Sequence, residues 1–205
     1  MKVSPRHVIV LAVVFVAGAV VGLPTVRPVT AGASAAVSDS SKAIEDLLAK
    51  DAIRAQIYNY SRGIDRLDKA LTLQVWHPDG TADYGGQQTT GQQFVEGLFK
   101  GLPNMVSSAH HMLDTVIKVD GDKAVSETYA NSSLVLPLQG KEGVSISLIR
   151  GRYADRWSKR DGRWALDHRA YIEDFRTAQD VLGKAPLGRG KRDHTDLSYP
   201  IYDAF

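Results

Sequence analysis

Beyond residue 107 the hydrophobic pattern of this chain changes its period to two, and three short glycine-bearing turns divide the stretch from there to residue 175 into four long extended segments. The segments 108–119, 123–136, 144–158 and 163–175 are rich in Val, Ile, Thr, Tyr and Trp, whose branched or planar side chains suit a pleated surface. Asp120-Gly-Asp122, Gln139-Gly-Lys-Glu-Gly143 and Asp161-Gly162 join them as hairpin turns. Connections this short bring antiparallel neighbours together, because a parallel crossover needs a dozen or more residues.

The half before this reads as helix. Ile44, Leu47, Leu48, Ile57, Tyr60 and Ile64 follow i, i+3, i+4 spacing, with Ser41 placed as the cap and Glu45 and Asp46 in the first turn. Asp68 caps a second, short helix carrying Leu71, Val75 and Trp76, which His77-Pro-Asp-Gly80 stops. A third helix spans Gln92 to Lys100 and ends at Gly101 and Pro103. Helices followed by hairpins give the α+β class, a curved antiparallel sheet packed on about three N-terminal helices. Neither sheet face alternates cleanly. Trp164, Leu166, Ala170 and Ile172 share a side with His168 and Asp174, so the sheet lines a partly polar cavity, or a partner subunit covers ion pairs there.

Length and charge bound the rest. With 205 residues, 43% hydrophobic and 23% charged, the chain can bury one core. Its formal charge of +2 includes Lys2, Arg6 and Arg27 in a stretch, 1–37, without Asp or Glu; removing those three leaves the remainder at −1. No basic face is left for a nucleic acid. The absence of cysteine excludes disulfides, a thiol nucleophile and a thiolate metal site.

Residues 1–36 have the order of a secretory signal: Lys2 and Arg6, an apolar run from Val8 to Val21, then Ala31-Gly-Ala-Ser-Ala-Ala36 with a cleavage site after Ala35. The expectation is an exported protein, periplasmic or extracellular. The apolar run is shorter than the ~20 residues of a stable membrane span; if uncleaved, residues 8–23 would be an anchor and the only membrane contact. Residues 37–42 read as a linker, 43–176 as the α+β domain, and 177–205 as a tail lying over the domain or a neighbour.

Two fragments carry the chemistry, Tyr60-Ser-Arg-Gly-Ile-Asp65 and Ser108-Ala-His-His-Met-Leu-Asp114. A neutral imidazole has a pKa near ~6.5, and a carboxylate accepting its Nδ1–H fixes the tautomer and stabilises the imidazolium formed when Nε2 removes a proton. Such a pair can drive elimination from an activated carbon, with a Tyr or Arg near the leaving group taking up the opposite charge. Each residue also has a plainer role: a strand histidine in packing, Asp65 as a helix cap, Tyr60 on the apolar stripe. His77, His110, His111 and His168 lack zinc-ligand spacing, and Gly85-Gly86 and Gly188-Arg-Gly190 lack the strand–helix context of a phosphate loop.

The run from Ile53 to Asp68, Trp76-His-Pro-Asp79, Tyr84-Gly85, His110, Val119-Asp-Gly-Asp-Lys-Ala124, Gly151-Arg-Tyr-Ala-Asp155, Asp161-Gly-Arg-Trp164, His168-Arg169 and Asp196-Leu-Ser-Tyr199 together resemble the SnoaL-like branch of the nuclear transport factor 2 superfamily. The resemblance covers roughly residues 41 to 200. It implies a cone-shaped fold, Asp65 at the end of the first helix, and His110, rather than His111, on a facing strand as an Asp–His dyad. Tyr60 matches a tyrosine of the bile-acid dehydratases. Because the last strands line the family's cavity, Trp76, Tyr84, Arg152 and His168 are the substrate-binding candidates.

The activity implied is a cofactor-independent, metal-free lyase that removes water, halide or a small aldehyde from a hydrophobic aromatic or polycyclic molecule, in a homodimer or higher homo-oligomer joined through the sheet. The same cone hosts isomerases, cyclases and proteins without activity. An isomerase or cyclase using the dyad, and a small-molecule-binding scaffold, are therefore the alternatives.

Overall fold

The first helix ends in a strained turn that sets the place of Asp65. The computed structural model describes residues 31–185 and 187–204, and the side chains of all of these but the first eight. Helix α1 runs from Ala31 to Asp65. The expected linker at 37–42 therefore lies inside a helix, Ser41 is not its cap, and the expected leader falls outside the described residues except for its last six, which are helical. Among the described residues no helix is long and apolar enough to cross a membrane. Ile53, Ile57, Tyr60 and Ile64 are buried, whereas Ile44, Leu47 and Leu48, assigned to the same stripe, are exposed.

At the C-terminal end of α1, Asp68 N–H bonds Gly63 O at 2.8 Å and Leu67 N–H bonds Ile64 O at 3.4 Å. Leu67 takes a left-handed φ of 55°. This is the paired hydrogen-bond pattern that usually ends on glycine; a leucine there is strained by about 1 kcal/mol, and its part-buried side chain packs against the core. Gly63 is needed for contact, since a Cβ there would stand 2.3 Å from Thr72 Oγ1 of helix α2, Lys69–Gln74. Asp68 caps α2 as its sequence predicts, accepting from Leu71 N–H at 2.9 Å.

The chain then departs from the sequence reading. Trp76 and His77-Pro-Asp-Gly80 do not end a helix; they begin strand β1, Trp76–Tyr84. The ladder tolerates Pro78 because the register jumps between Trp76 and Thr81. A short β2, Gln88–Thr90, leads into α3, Gly91–Gly101, where Thr90 and Gln93 form a reciprocal capping box.

After a 3₁₀ turn, Leu102–Asn104, come the four expected strands: β3 (Ser107–Asp120), β4 (Lys123–Pro137), β5 (Gly143–Arg160) and β6 (Arg163–Leu182). β6 takes in the first residues assigned to the tail. The order is β2-β1-β6-β5-β4-β3. The four strands read from the sequence pair antiparallel as expected, and the one parallel pair, β1 with β6, belongs to the segment that was read as a helix stop; residues 85–162 form the long crossover. The result is a six-stranded, curled and unclosed sheet with the helices at its N-terminal side.

Register shifts on β3 after Met112, and between β5 and β6 at Arg150/Gly151 and Arg156/Trp157, bend the sheet. One of them decides which side chains face inward. Arg156 pairs with His168 but Trp157 with Leu166, so Asp167 is an extra residue on β6. Trp164 and Leu166 point into the core, and beyond the extra residue Arg169 and Tyr171 do so instead of His168 and Ala170.

Candidate active site

Asp65, at the last position of α1, meets the start of β3. Its Oδ1 lies 2.7 Å from His110 Nδ1, and its Oδ2 accepts the His110 backbone N–H at 2.8 Å. Ser108 Oγ adds a third donor, 3.1 Å from Oδ1. The two side chains are only 15% and 12% exposed. A carboxylate receiving a backbone N–H and the ring of the same residue holds that ring in one rotamer, with Nδ1 as donor and the Nε2 lone pair facing away. Among the described residues Nε2 has no hydrogen-bond partner. His111, one residue on, lies on the outer face beside Arg150 and Phe175.

A charged pair, more completely buried than the dyad, lies on β5 and β6. Arg169 donates from Nε and Nη2 to Asp155 Oδ1 and Oδ2, each at 2.8 Å, with both side chains fully buried. Burial works against the charge of Arg169, but the charge and hydrogen bonds of Asp155 outweigh it and keep the guanidinium cationic. Its centre lies 4.4 Å and 4.3 Å from the ring centroids of Tyr60 and Tyr153, in cation–π contact. Nη1 is buried without a partner among the described residues.

Around this cation is a run of rings: Phe94 stacks on Tyr84 at 4.0 Å, Tyr84 on Tyr171 at 5.3 Å, and Tyr153 lies 5.2 Å from Tyr171 and 5.7 Å from Tyr60. Glycine at 151 makes room, since a Cβ there would stand 2.7 Å from the Tyr171 hydroxyl. Tyr60 and Tyr84 share a 2.7 Å hydroxyl–hydroxyl bond. Burial raises both phenols above their usual range, Tyr84 the more; the charge of Arg169 and the bond to Tyr84 pull Tyr60 partly back. Both are therefore neutral O–H donors at ordinary pH.

The remaining candidates are dispersed. Trp76 is buried against Phe94 and Gly91 as a core side chain. Arg152 does not reach the interior: it pairs with Asp174 and Glu127 on the opposite face of the sheet. His168 is likewise outward, its Nδ1 2.8 Å from Thr81 Oγ1, beside a hollow of about 550 Å³ that Val116, Val125 and Arg156 also line. The interior arginine is the next residue, Arg169. Its signal was in the sequence, as the neighbour of His168, but the extra residue at Asp167 reverses the inside and outside of β6 from there on.

Ser108 and Arg192 were also missed. Arg192 Nη2 donates to Ser108 Oγ at 3.1 Å, and Nη1 donates to the carbonyls of Leu102 and Met105 at 2.7 and 2.9 Å. Those two residues, with Tyr84, Phe94 and Leu98, line an open hollow of about 470 Å³. Neither Asp65 nor His110 lines this hollow; its wall is linked to the site by the Tyr84–Tyr60 hydroxyl bond and by the bonds of Leu102 and Met105 to Arg192.

A family model described as a SnoaL-like domain matches residues 45–170. No curated protein matches the sequence. Among solved structures the chain is similar to a type 2 hexachlorocyclohexane dehydrochlorinase, at TM-score 0.60 and 19% identity over 69% of this chain and 96% of that one. It is similar to a provisionally assigned scytalone dehydratase from Novosphingobium aromaticivorans, at TM-score 0.57 and 20% identity over 71% and 97%. A Mycobacterium tuberculosis protein of unknown function matches at TM-score 0.51 and 21% identity over 77% and 86%. At these identities the likeness establishes the fold.

Proposed function

The chain belongs to the SnoaL-like domain family, and from that premise we propose that it is a cofactor-independent lyase in which His110 is the general base and Asp65 its orienting partner. The observation that carries this reading is the 2.7 Å contact between Asp65 Oδ1 and His110 Nδ1, backed by the bond from the His110 backbone to the same carboxylate. His110 Nε2 removes a proton from a carbon next to an electron-withdrawing group, and Asp65 stabilises the imidazolium that forms. Tyr60, with Tyr84 bonded to its hydroxyl and Arg169 over its ring, donates a hydrogen bond to the oxygen or halide that gathers negative charge. The leaving group then departs as halide, or as water by taking up a proton; a small aldehyde is lost instead when Nε2 takes the proton of a carbinol O–H and the adjacent C–C bond breaks. The aromatic wall of Tyr84, Phe94 and Tyr171 suits a flat hydrophobic substrate.

Two solved structures of similar fold are named for eliminations, one as a dehydrochlorinase and one as a dehydratase, and this supports the reaction class. The test is a mass-spectrometric screen of the purified protein against hydroxylated steroids, diaryl propanoids and chlorinated cycloalkanes. The expected product is lighter than its substrate by one small molecule, and His110→Ala abolishes its formation while leaving the circular dichroism spectrum intact. Turnover that survives this substitution refutes the assignment of the base, and a product of unchanged mass makes the enzyme an isomerase.

A further inference from the structure

The Asp196-Leu-Ser-Tyr199 run sits far along the chain from the dyad, yet it anchors the segment that touches it. Asp196 accepts from Ser198 Oγ at 2.6 Å, Lys191 N–H at 2.8 Å and Ser198 N–H at 3.0 Å, and Arg66 Nη2 stands 3.8 Å away. The buried Tyr199 and the exposed Tyr202 each lie 4.7 Å from the guanidinium of Arg62. The tail is thereby fastened to the last turn of α1, which ends at Asp65. Between Lys191 and Asp196 it inserts Arg192, whose bonds reach Leu102 O, Met105 O, Ser108 Oγ and, at 3.4 Å, the backbone carbonyl of Asp65.

The donor count gives this contact a chemical consequence. Arg192 can only donate, so Ser108 Oγ must accept from it and turn its single hydroxyl hydrogen to Asp65 Oδ1. Asp65 then receives three donors: Ser108 O–H, His110 Nδ1–H and His110 N–H. A carboxylate so occupied is held in one orientation. It keeps Nδ1–H aimed at the acid and the Nε2 lone pair turned away from it.

We propose that Arg192, delivered by the docked C-terminal tail, is a positioning residue for the dyad: through the Ser108 hydroxyl it fixes the orientation of Asp65 and hence the tautomer of His110. The proposal rests on the function proposed above, and two readouts separate the two. The first, imidazole ¹⁵N chemical shifts of the full chain, needs no substrate. Neutral His110 in the parent protein is expected as the Nδ1–H tautomer. Arg192→Gln and Ser108→Ala shift it toward a mixture rich in Nε2–H. Arg192→Lys does the same although it keeps the charge, because one ammonium cannot span two carbonyls and a hydroxyl.

The second readout uses the substrate found in the screen. Turnover number falls about tenfold in these variants while KM stays within about twofold, the pattern of a lost orientation rather than a lost binding contact. A parent protein whose His110 is already Nε2–H overturns the dyad itself. A normal parent, with tautomer and turnover unchanged in both Arg192→Gln and Ser108→Ala, overturns the positioning role alone. Ser108→Ala removes one oxygen atom, so it remains informative if loss of Arg192 unseats the tail.

Discussion

Removing half of the Arg169–Asp155 pair tests whether the interior was built around a charge. Both side chains have zero exposure and share two 2.8 Å hydrogen bonds. Asp155→Ala leaves a guanidinium buried without its counter-ion, a change that costs about 3–5 kcal/mol in other proteins. In a domain of this size each 1 kcal/mol lowers Tm by roughly 2–4 °C, so the shift falls near 6–20 °C. Arg169→Met removes the other half with a similar loss near neutral pH, together with both cation–π contacts.

The two variants differ with pH. Arginine stays charged throughout, so Asp155→Ala remains unstable across the range. A lone buried carboxyl can take up a proton, and a folded state that binds a proton the unfolded chain has released gains stability as pH falls; Arg169→Met therefore recovers toward acid. Urea unfolding followed by tryptophan fluorescence between pH 5 and 8, with the m-value as a check on two-state behaviour, measures both. The reasoning is refuted if either single variant loses under about 1 kcal/mol, or if Arg169→Met/Asp155→Ala loses the full sum of the singles, because two halves of one pair must be strongly non-additive.

The geometry carries three further expectations. Tyr60→Phe leaves the ring and its cation–π contact but deletes the hydroxyl bonded to Tyr84; stability drops by about 1 kcal/mol, while kcat/KM falls about 10²-fold if that hydroxyl meets developing charge, and an undiminished kcat/KM removes Tyr60 from the chemistry. Asp196 is held below the usual carboxylate range, first by the Ser198 hydroxyl and then by the Lys191 and Ser198 backbone N–H groups; its contribution is complete above the unfolded carboxyl pKa and lost as pH falls below that range, so limited proteolysis should open the tail in acid, and Asp196→Asn should open it at neutral pH. On the outer face of the sheet Val116, Val125, Tyr129, Leu148 and Phe175 stand exposed among Glu127, Arg150, Arg152 and Asp174; we propose that a second copy covers them, and Phe175→Glu should halve the mass measured by sedimentation, whereas a parent protein that already sediments as a monomer refutes the interface.

What could be read from the sequence was what local chemistry fixes. The glycine turns placed four strands to within two residues at every end but the last, where β6 runs on to Leu182, and Asp68 begins a helix because its side chain accepts a nearby backbone N–H. The place of Asp65 at the end of α1 and of His110 on the facing strand came from order and spacing along a family pattern. The rest depends on partners distant in the chain. β1 looked like a helix stop because Pro78 and Gly80 read as breakers, and only pairing with β6 makes an extended segment of it. His168 was preferred over Arg169 because alternation was counted through Asp167 without the extra residue, and Arg152 was chosen as a residue of the last strands although its neighbours Gly151 and Tyr153 are the buried ones. Nothing local to Arg192 marks it, since its partners lie 84 to 127 residues away.

Charge balance ties these separate pieces together. The interior and its backing hold two acids, Asp65 and Asp155, and two arginines, Arg169 and Arg192, so the resting site with a neutral His110 carries no net charge. In the proposed reaction a proton leaves a neutral substrate for Nε2, and the site becomes cationic just as the substrate becomes anionic. The new cation forms against Asp65, which already receives three donors and needs no reorganisation to hold it. The new anion forms toward Tyr60, whose neighbour Arg169 keeps its Nη1 donors unspent. A site whose dipoles and charges are already aimed at both ends of the developing pair lowers the barrier without first having to rearrange. This is why the buried Arg169–Asp155 pair and the tail-borne Arg192 belong in the same account as the dyad: removing either arginine leaves an acid uncompensated before any substrate arrives.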